Sequence, residues 1–170
     1  YVKHLYKRLQ REGQLERDVD RLVRNDRIAW GSSMIACNDA DAMVTGNIRH
    51  YAASIDKLKK VVDPRKGEEI FGMTMINSKG KTILVADTNV EDFPSAKRLV
   101  NVSKSCVRVA RLFGFDPKVA FLSHSTFGNP VSKNTKHVRD AINLLKQEKV
   151  DFDFDGEMQP DVALNPIYQE

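Results

Sequence analysis

Three short polar stretches carry the side chains in this sequence that could do chemistry. The first is GNIRHYAAS, Gly46 to Ser54, which follows the apolar run DAMV and precedes the Lys-rich helical pattern IDKLKKVV. A glycine where a strand turns into a helix is a common anion seat, because free amides and the positive dipole end of the helix face the incoming charge. Small hydroxyl residues would be the expected lining, and here the chain offers Arg49, His50 and Tyr51 instead. The second stretch follows the apolar run KVAFLS and gathers Ser123, Ser125, Thr126 and Gly128. Its hydroxyls and amides suit a phosphoryl or carboxylate group, but neither GxxxxGK[ST] nor GxGxxG is present, so plain turn chemistry explains the same residues. His124 reads as a base or as a solvated loop residue.

The third stretch, DGEMQPD, runs from Asp155 to Asp161 and includes Glu157 and Gln159. Glu157 and Asp161 stand four apart with Pro160 between them at a helix start. Such carboxylates could bind an amine or a metal, and they equally match the dipole of a helix N-terminus. The alternation VDFDFDG just before it places Val150, Phe152 and Phe154 on one side of a strand and Asp151, Asp153 and Asp155 on the other. These aspartates with Gly156 match the opening of a calcium loop, but its twelfth position, which needs a bidentate Glu, falls on Val162. A half-exposed strand is the better reading.

The elements that must position these stretches follow from periodicity. Val2, Leu5, Tyr6 and Leu9 recur at helical spacing up to a stop at Gly13, and Leu15, Val19, Leu22 and Val23 continue it, so the first 35 or so residues read as two helices. DADAMVTG reads as a short buried strand ending at Gly46, and Ser54 to Val62 as a helix stopped by Pro64 and Gly67. EIFGMTMI and TILVAD, joined by NSKGK, form a hairpin. Asp92 is placed to cap a long helix with Pro94 in its first turn, whose face is Leu99, Val102, Cys106, Ala110 and Phe113, up to Gly114. KVAFLS reads as a strand buried on both faces, and Val138, Ala141, Ile142 and Leu145 mark a further helix. Strands alternating with helices, plus a hairpin, give an α/β class around a mixed sheet. Ligands then sit beyond the carboxyl ends of the strands, where parallel pairing would gather the three polar stretches. The predicted organisation is a pair of N-terminal helices over residues 1–35 and an α/β domain over 36–170.

At 170 residues the chain can bury one ordinary core. No run approaches the roughly 20 apolar residues that span a bilayer, and the charged start YVKHLYKRLQREG lacks the apolar core of a signal peptide; a cytoplasmic location with no membrane contact is expected. Cys37 and Cys106 lie far apart and the four histidines are scattered, which gives no zinc site and no disulfide framework. Of the net charge of +4, residues 1–27 supply three, eight Lys/Arg against five Asp/Glu, yet no aromatic-basic strand or recognition-helix motif accompanies them, so no nucleic acid is expected.

Taken together, YVKHLYKRLQREG, NDADAMVTG, TILVADTNVEDFPSA, VAFLSHSTFGNP and DFDGEMQPDVALNP resemble the phosphotransacetylase (phosphate acetyltransferase) family. They look closest to its version in the C-terminal region of bacterial NADP-dependent malic enzymes. The resemblance implies a three-layer α/β/α architecture with a mixed, mainly parallel sheet of the isocitrate dehydrogenase type, with coenzyme A and acetyl phosphate meeting in an interdomain cleft. It further implies a homodimer or larger homo-oligomer. It also implies a regulatory module sensing acetyl-CoA behind an N-terminal malic enzyme region of the same chain, which would carry NADP and a divalent metal. Active members read Gly-x-x-His-Ser-Thr-Ala-x-x-x-Arg at the first stretch. Aligned on Gly46, Arg49 stands at the His, His50 at the Ser, Tyr51 at the Thr and Asp56 at the phosphate-binding Arg. A carboxylate there reverses the charge a phosphate needs, so no residue of this stretch is expected to be catalytic; the family's second catalytic group, SRG followed by Asp, would come after Glu170. Through the resemblance Arg49 and Lys57 become candidates for a phosphate of the coenzyme, and His50 and Tyr51 for packing, against adenine or acyl or simply as space filling.

Overall fold

A computed structural model describes residues 1–88, 90–91, 93–130 and 135–168. The chain forms two compact units, Tyr1–Arg65 and Lys66–Glu170. The N-terminal helices thus share a unit with the segment that follows them as far as Arg65, rather than ending a unit near residue 35.

In the first unit, α1 (Val2–Leu9) runs into a 3-10 turn at Gln10–Glu12 and stops at Gly13, whose φ of 80° is the left-handed conformation that glycine reaches without a Cβ penalty. α2 (Glu16–Asn25) and α3 (Arg27–Ala36) follow, then α4 (Tyr51–Val61). Leu5 and Leu9 of α1, Val19 and Val23 of α2, Ala29 of α3 and Val61 of α4 make one buried core. Three helices therefore occupy the stretch where periodicity predicts two. The break is Asp26, extended at φ −113° and ψ 111°, whose Oδ1 accepts from the amides of Ile28 at 3.0 Å and Ala29 at 3.2 Å. A single capping residue inside a continuous apolar pattern, with no glycine or proline beside it, leaves the period undisturbed while it restarts the helix.

DADAMVTG is not a strand. It forms no ladder, Val44 is wholly exposed, and Met43 lies against Gly31 of α3. Val44 and Thr45 are the stretch's only strong β-formers beside Asp, Ala and Gly, types depleted in strands, and a strand exists only where a neighbour completes its hydrogen bonds.

The second unit starts with the expected hairpin, β1 (Met73–Ser78) antiparallel to β2 (Lys81–Ala86). Lys79 and Gly80, with φ of 50° and 77°, make the two-residue turn whose twist matches that of the strands. The long helix is α5 (Ala96–Leu112); it is capped by Ser95, whose Oγ accepts from the amide of Arg98 at 3.2 Å, so Pro94 precedes the cap instead of opening the first turn. The Asp92 cap expected from the sequence lies outside the described residues. Ser95→Ala is expected to cost about 1 kcal/mol, read as a lower midpoint in denaturant unfolding; no change would mean that the cap is not formed in solution. The buried face of α5 is Val100, Val102, Ser103, Val107 and Ala110. It is rotated from the predicted stripe, and Phe113 is 60% exposed.

β3 (Val119–Leu122) pairs in parallel with β4 (Phe154–Met158), and α6 (Lys136–Glu148) covers them. Phe121, Val138, Ala141, Ile142, Leu145 and Val100 form the second core, with Val150, Phe152 and Phe154 packed against it as the alternation predicts. β3 is not buried on both faces: Phe121 is covered, on the face that α6 packs against, and Leu122, pointing the other way, is 46% exposed. The strands are thus divided between two small sheets, one antiparallel and one parallel. This is the mixed α/β class. α7 (Pro160–Leu164) starts at Pro160 as expected. Among the described residues no helix is long and apolar enough to cross a membrane.

Candidate functional site

The three polar stretches fall in different units: the Gly46 turn in the first, the Ser123 loop and the Asp155 strand in the second.

In the first unit every residue of the turn from Val44 to His50 is exposed. Gly46 takes φ 125° with open space around it, and its carbonyl accepts from Ile48 N at 2.9 Å. His50 is the N-cap of α4 but offers no side-chain cap bond, and Tyr51 is 45% exposed. Neither ring packs into the core, which corrects the expectation that they fill space. Asp56 is exposed on α4.

Arg49 and Lys57 come together on one atom. Arg49 Nη1 donates to Asp26 Oδ2 at 2.5 Å, and Lys57 Nζ donates to the same oxygen. Two cations within hydrogen-bond reach of one oxygen stand roughly 5 Å apart, where they repel by about 3 kcal/mol at the effective dielectric of a protein surface. The Asp26 carboxylate, with 9% of its side chain exposed, is what offsets that repulsion. Burial pushes its pKa up, but the bonds from Lys57, Arg49 and the amides of Ala29 and Ile28 outweigh burial and hold it well below the ordinary carboxylate range. Sequence reasoning missed Asp26, since it lies 23 residues from Arg49 and 31 from Lys57. Its one local signal was a capping residue type between two helical patterns.

In the second unit the polar residues form a network around Glu157, a side chain only 1% exposed. Strand pairing matches Phe121 with Gly156 and Leu122 with Met158, so Glu157 is the extra residue of a bulge. A bulge re-aims one side chain, and here it turns a carboxylate inward. Glu157 Oε1 accepts from Ser125 Oγ at 2.7 Å and from Arg139 Nη1 at 3.0 Å, and the Thr135 hydroxyl bonds the same carboxylate. Burial raises its pKa, but the bonds from Ser125 and Thr135 and the charge of Arg139 outweigh it, so the group stays ionised at neutral pH.

Ser123 Oγ sits 3.2 Å from Ser125 Oγ and accepts from Ser125 N at 3.2 Å. Thr126 and Asn129 exchange both backbone bonds, at 2.9 and 3.0 Å, across Phe127 and Gly128, whose φ values of 48° and 87° make a tight turn. Phe127 N donates to Glu157 O at 2.7 Å and Ser123 N to Met158 O at 2.9 Å. Gln159 joins through its Nε2 to His124 O at 2.7 Å and its amide to Thr126 Oγ1 at 3.2 Å. The loop amides of Ser123, Ser125, Thr126, Phe127 and Asn129 thus bond within the protein. Asp155 stays on the exposed face, accepting from Gly156 N at 2.8 Å, and Asp161 is exposed. Chemically the first unit offers a half-open pair of cations, and the second a buried, ionised carboxylate that ties a loop to a strand.

Comparison with known proteins matches residues 1–170 to the family described as Phosphate acetyl/butaryl transferase. An NADP-dependent malic enzyme of Rhizobium meliloti (strain 1021) is 42% identical over 170 residues, covering 100% of this chain and 22% of that protein. A probable NADP-dependent malic enzyme of Rickettsia prowazekii (strain Madrid E) is 36% identical over 175 residues, covering 97% of this chain and 23% of that protein. The chain spans less than a quarter of the length of these relatives. Among solved structures, a phosphotransacetylase from Streptococcus pyogenes superposes with a TM-score of 0.83 at 26% identity, covering 98% of this chain and 52% of that one.

Proposed function

We propose, from the premise that this chain belongs to the Phosphate acetyl/butaryl transferase family, that it is an acetyl-CoA-responsive regulatory and oligomerisation region of a cytoplasmic NADP-dependent malic enzyme. It carries no transferase activity of its own. The relatives that support the parent enzyme are malic enzymes matched along nearly the whole chain. NADP and the divalent metal belong to the catalytic region of that parent, and coenzyme A or acetyl-CoA is the ligand here.

One observation carries the loss of transferase chemistry. Where the family pattern has His, Ser, Thr and a phosphate-binding Arg, this chain has Arg49, His50, Tyr51 and Asp56, and its two nearby cations are tied to Asp26. Acyl transfer between phosphate and a thiol needs donors aimed at the developing oxyanion, and position 56 offers an acceptor carboxylate in place of a donor. Binding needs only the cations.

The phosphotransacetylase likeness favours a second reading, phosphate acetyltransferase activity, and the test separates the two. Incubated with acetyl phosphate and coenzyme A, the full-length protein is expected to form no thioester above background, while its malate oxidation changes on titration with acetyl-CoA. Steady thioester turnover would establish the transferase instead. A malate oxidation rate indifferent to acetyl-CoA would leave the region as a dimerisation scaffold.

A further inference from the structure

We infer that Asp26 is a positioning residue that gathers Arg49 and Lys57 into a seat for a phosphate group. This rests on the acetyl-CoA reading and deepens it, naming the phosphate as the part of the ligand recognised here and Asp26 as the residue that builds its seat.

The geometry is that of a half-finished anion site. Asp26 is 7% exposed, its Oδ1 is engaged by the amides of Ile28 and Ala29, and its Oδ2 takes both cations. The carboxylate cannot turn away from the cations without uncapping α3. Arg49 and Lys57 are therefore held by their charged ends, while 39% and 34% of their side chains face solvent. A guanidinium has five N–H donors and an ammonium three. Among the described residues, Asp26 is the one bonding partner of each. Each cation thus keeps donors beyond the one that Asp26 engages, on side chains that are about a third exposed.

A structural clamp between α3 and α4 would need one cation. Two on a single oxygen leave Asp26, Arg49 and Lys57 together with a charge of +1, and their further donors suit an acceptor that presents several oxygens at once. A phosphate does so, and the planar fork of an arginine beside a point-charge lysine is a common way to hold one. The chemistry is shared by the 3′-phosphate of coenzyme A, its pyrophosphate and free inorganic phosphate.

Asp26 makes the test sharp, because two explanations predict opposite signs. If the region is only a positive patch, removing a carboxylate strengthens anion binding. If Asp26 builds the seat, Asp26→Asn weakens it: an asparagine still caps α3, but its amide no longer holds two cations together. Binding of coenzyme A, 3′-dephospho-coenzyme A and inorganic phosphate to the full-length protein should be measured by calorimetry, below the unfolding range of every variant. Arg49→Ala and Lys57→Ala are each expected to weaken binding about tenfold, the scale of one charge-assisted hydrogen bond. Asp26→Asn should weaken it about fivefold or more on the same scale. Asp26→Ser, which also caps, serves if the asparagine variant is unstable. The guanidinium NMR resonances of Arg49 should shift on phosphate addition in the wild type and not in Asp26→Asn, a readout that a merely stabilising residue would not move.

A loss confined to coenzyme A over its dephospho form assigns the 3′-phosphate, and equal loss with both assigns the pyrophosphate. Tight inorganic phosphate binding assigns the free ion. Equal or tighter binding by Asp26→Asn overturns the positioning role. Acetyl-CoA binding that ignores Arg49→Ala and Lys57→Ala overturns the seat and leaves the regulatory reading standing. No binding of coenzyme A or acetyl-CoA by the wild type overturns both.

Discussion

Glu157→Ala is expected to destabilise the second unit by about 3–5 kcal/mol, the cost of deleting one partner of a buried charge network. The carboxylate is covered, and its removal takes the 2.7 Å acceptor from the wholly buried Ser125 hydroxyl, leaving it Ser123 Oγ at 3.2 Å, and removes a counter-charge of Arg139. Glu157→Gln keeps the shape and an acceptor, so its cost should fall to about 1–3 kcal/mol, the cost of an imperfect buried hydrogen bond. Denaturant unfolding measures both. An alanine variant as stable as the glutamine one would show that the buried network contributes nothing. The charge also fixes a pH dependence. Because the folded pKa of Glu157 is depressed, its contribution is complete above the unfolded carboxyl value of about 4.3 and is lost as pH falls through the lower folded value. Asp26 has the same sign in the first unit. Stability should therefore fall with acidification, and the fall should be shallower in Glu157→Gln. Parallel acid profiles would sink the assignment.

Gly156→Ala should be nearly as damaging, at about 2–5 kcal/mol, from a backbone conformation that side chains rarely adopt together with overpacking. Gly156 takes φ 140°, and a Cβ there would lie 2.6 Å from Phe121 O and 2.9 Å from Phe121 Cβ. Phe121 cannot yield, because it is the ladder partner of Gly156 and sits in the core. Gly114→Ala is the control: its φ of 80° is also left-handed, but nothing lies within 4 Å, so its cost is only the strain of about 1–2 kcal/mol. Equal losses at the two glycines would mean that β3 and β4 do not approach so closely in solution.

Much of this was legible locally. The 3.6-residue spacing in α1, α2 and α6 named their buried residues, and the NSKGK loop named the hairpin. The alternation from Val150 to Phe154 put the right side chains on the core. Continued through β4, the same alternation turns Glu157 outward. A one-residue bulge opposite Phe121 and Leu122 reversed it, and a bulge leaves no trace in the strand that carries it, because it is a relation between two strands.

The sequence by itself determined that the first polar stretch carries Arg49, His50, Tyr51 and Asp56 in place of small hydroxyl residues, and it determined the buried faces of α1, α2 and α6, since those depend on neighbours a few residues away. Only the tertiary structure decided what these residues do to one another. It left DADAMVTG without a pairing strand, exposed His50 and Tyr51, enclosed Glu157 with Ser125, and brought Arg49 and Lys57 onto Asp26. The physical reason is range. Periodicity and capping act over a turn or two of chain, whereas the partners of Asp26 and Glu157 and the ladder between β3 and β4 are chosen across 18 to 36 residues of sequence.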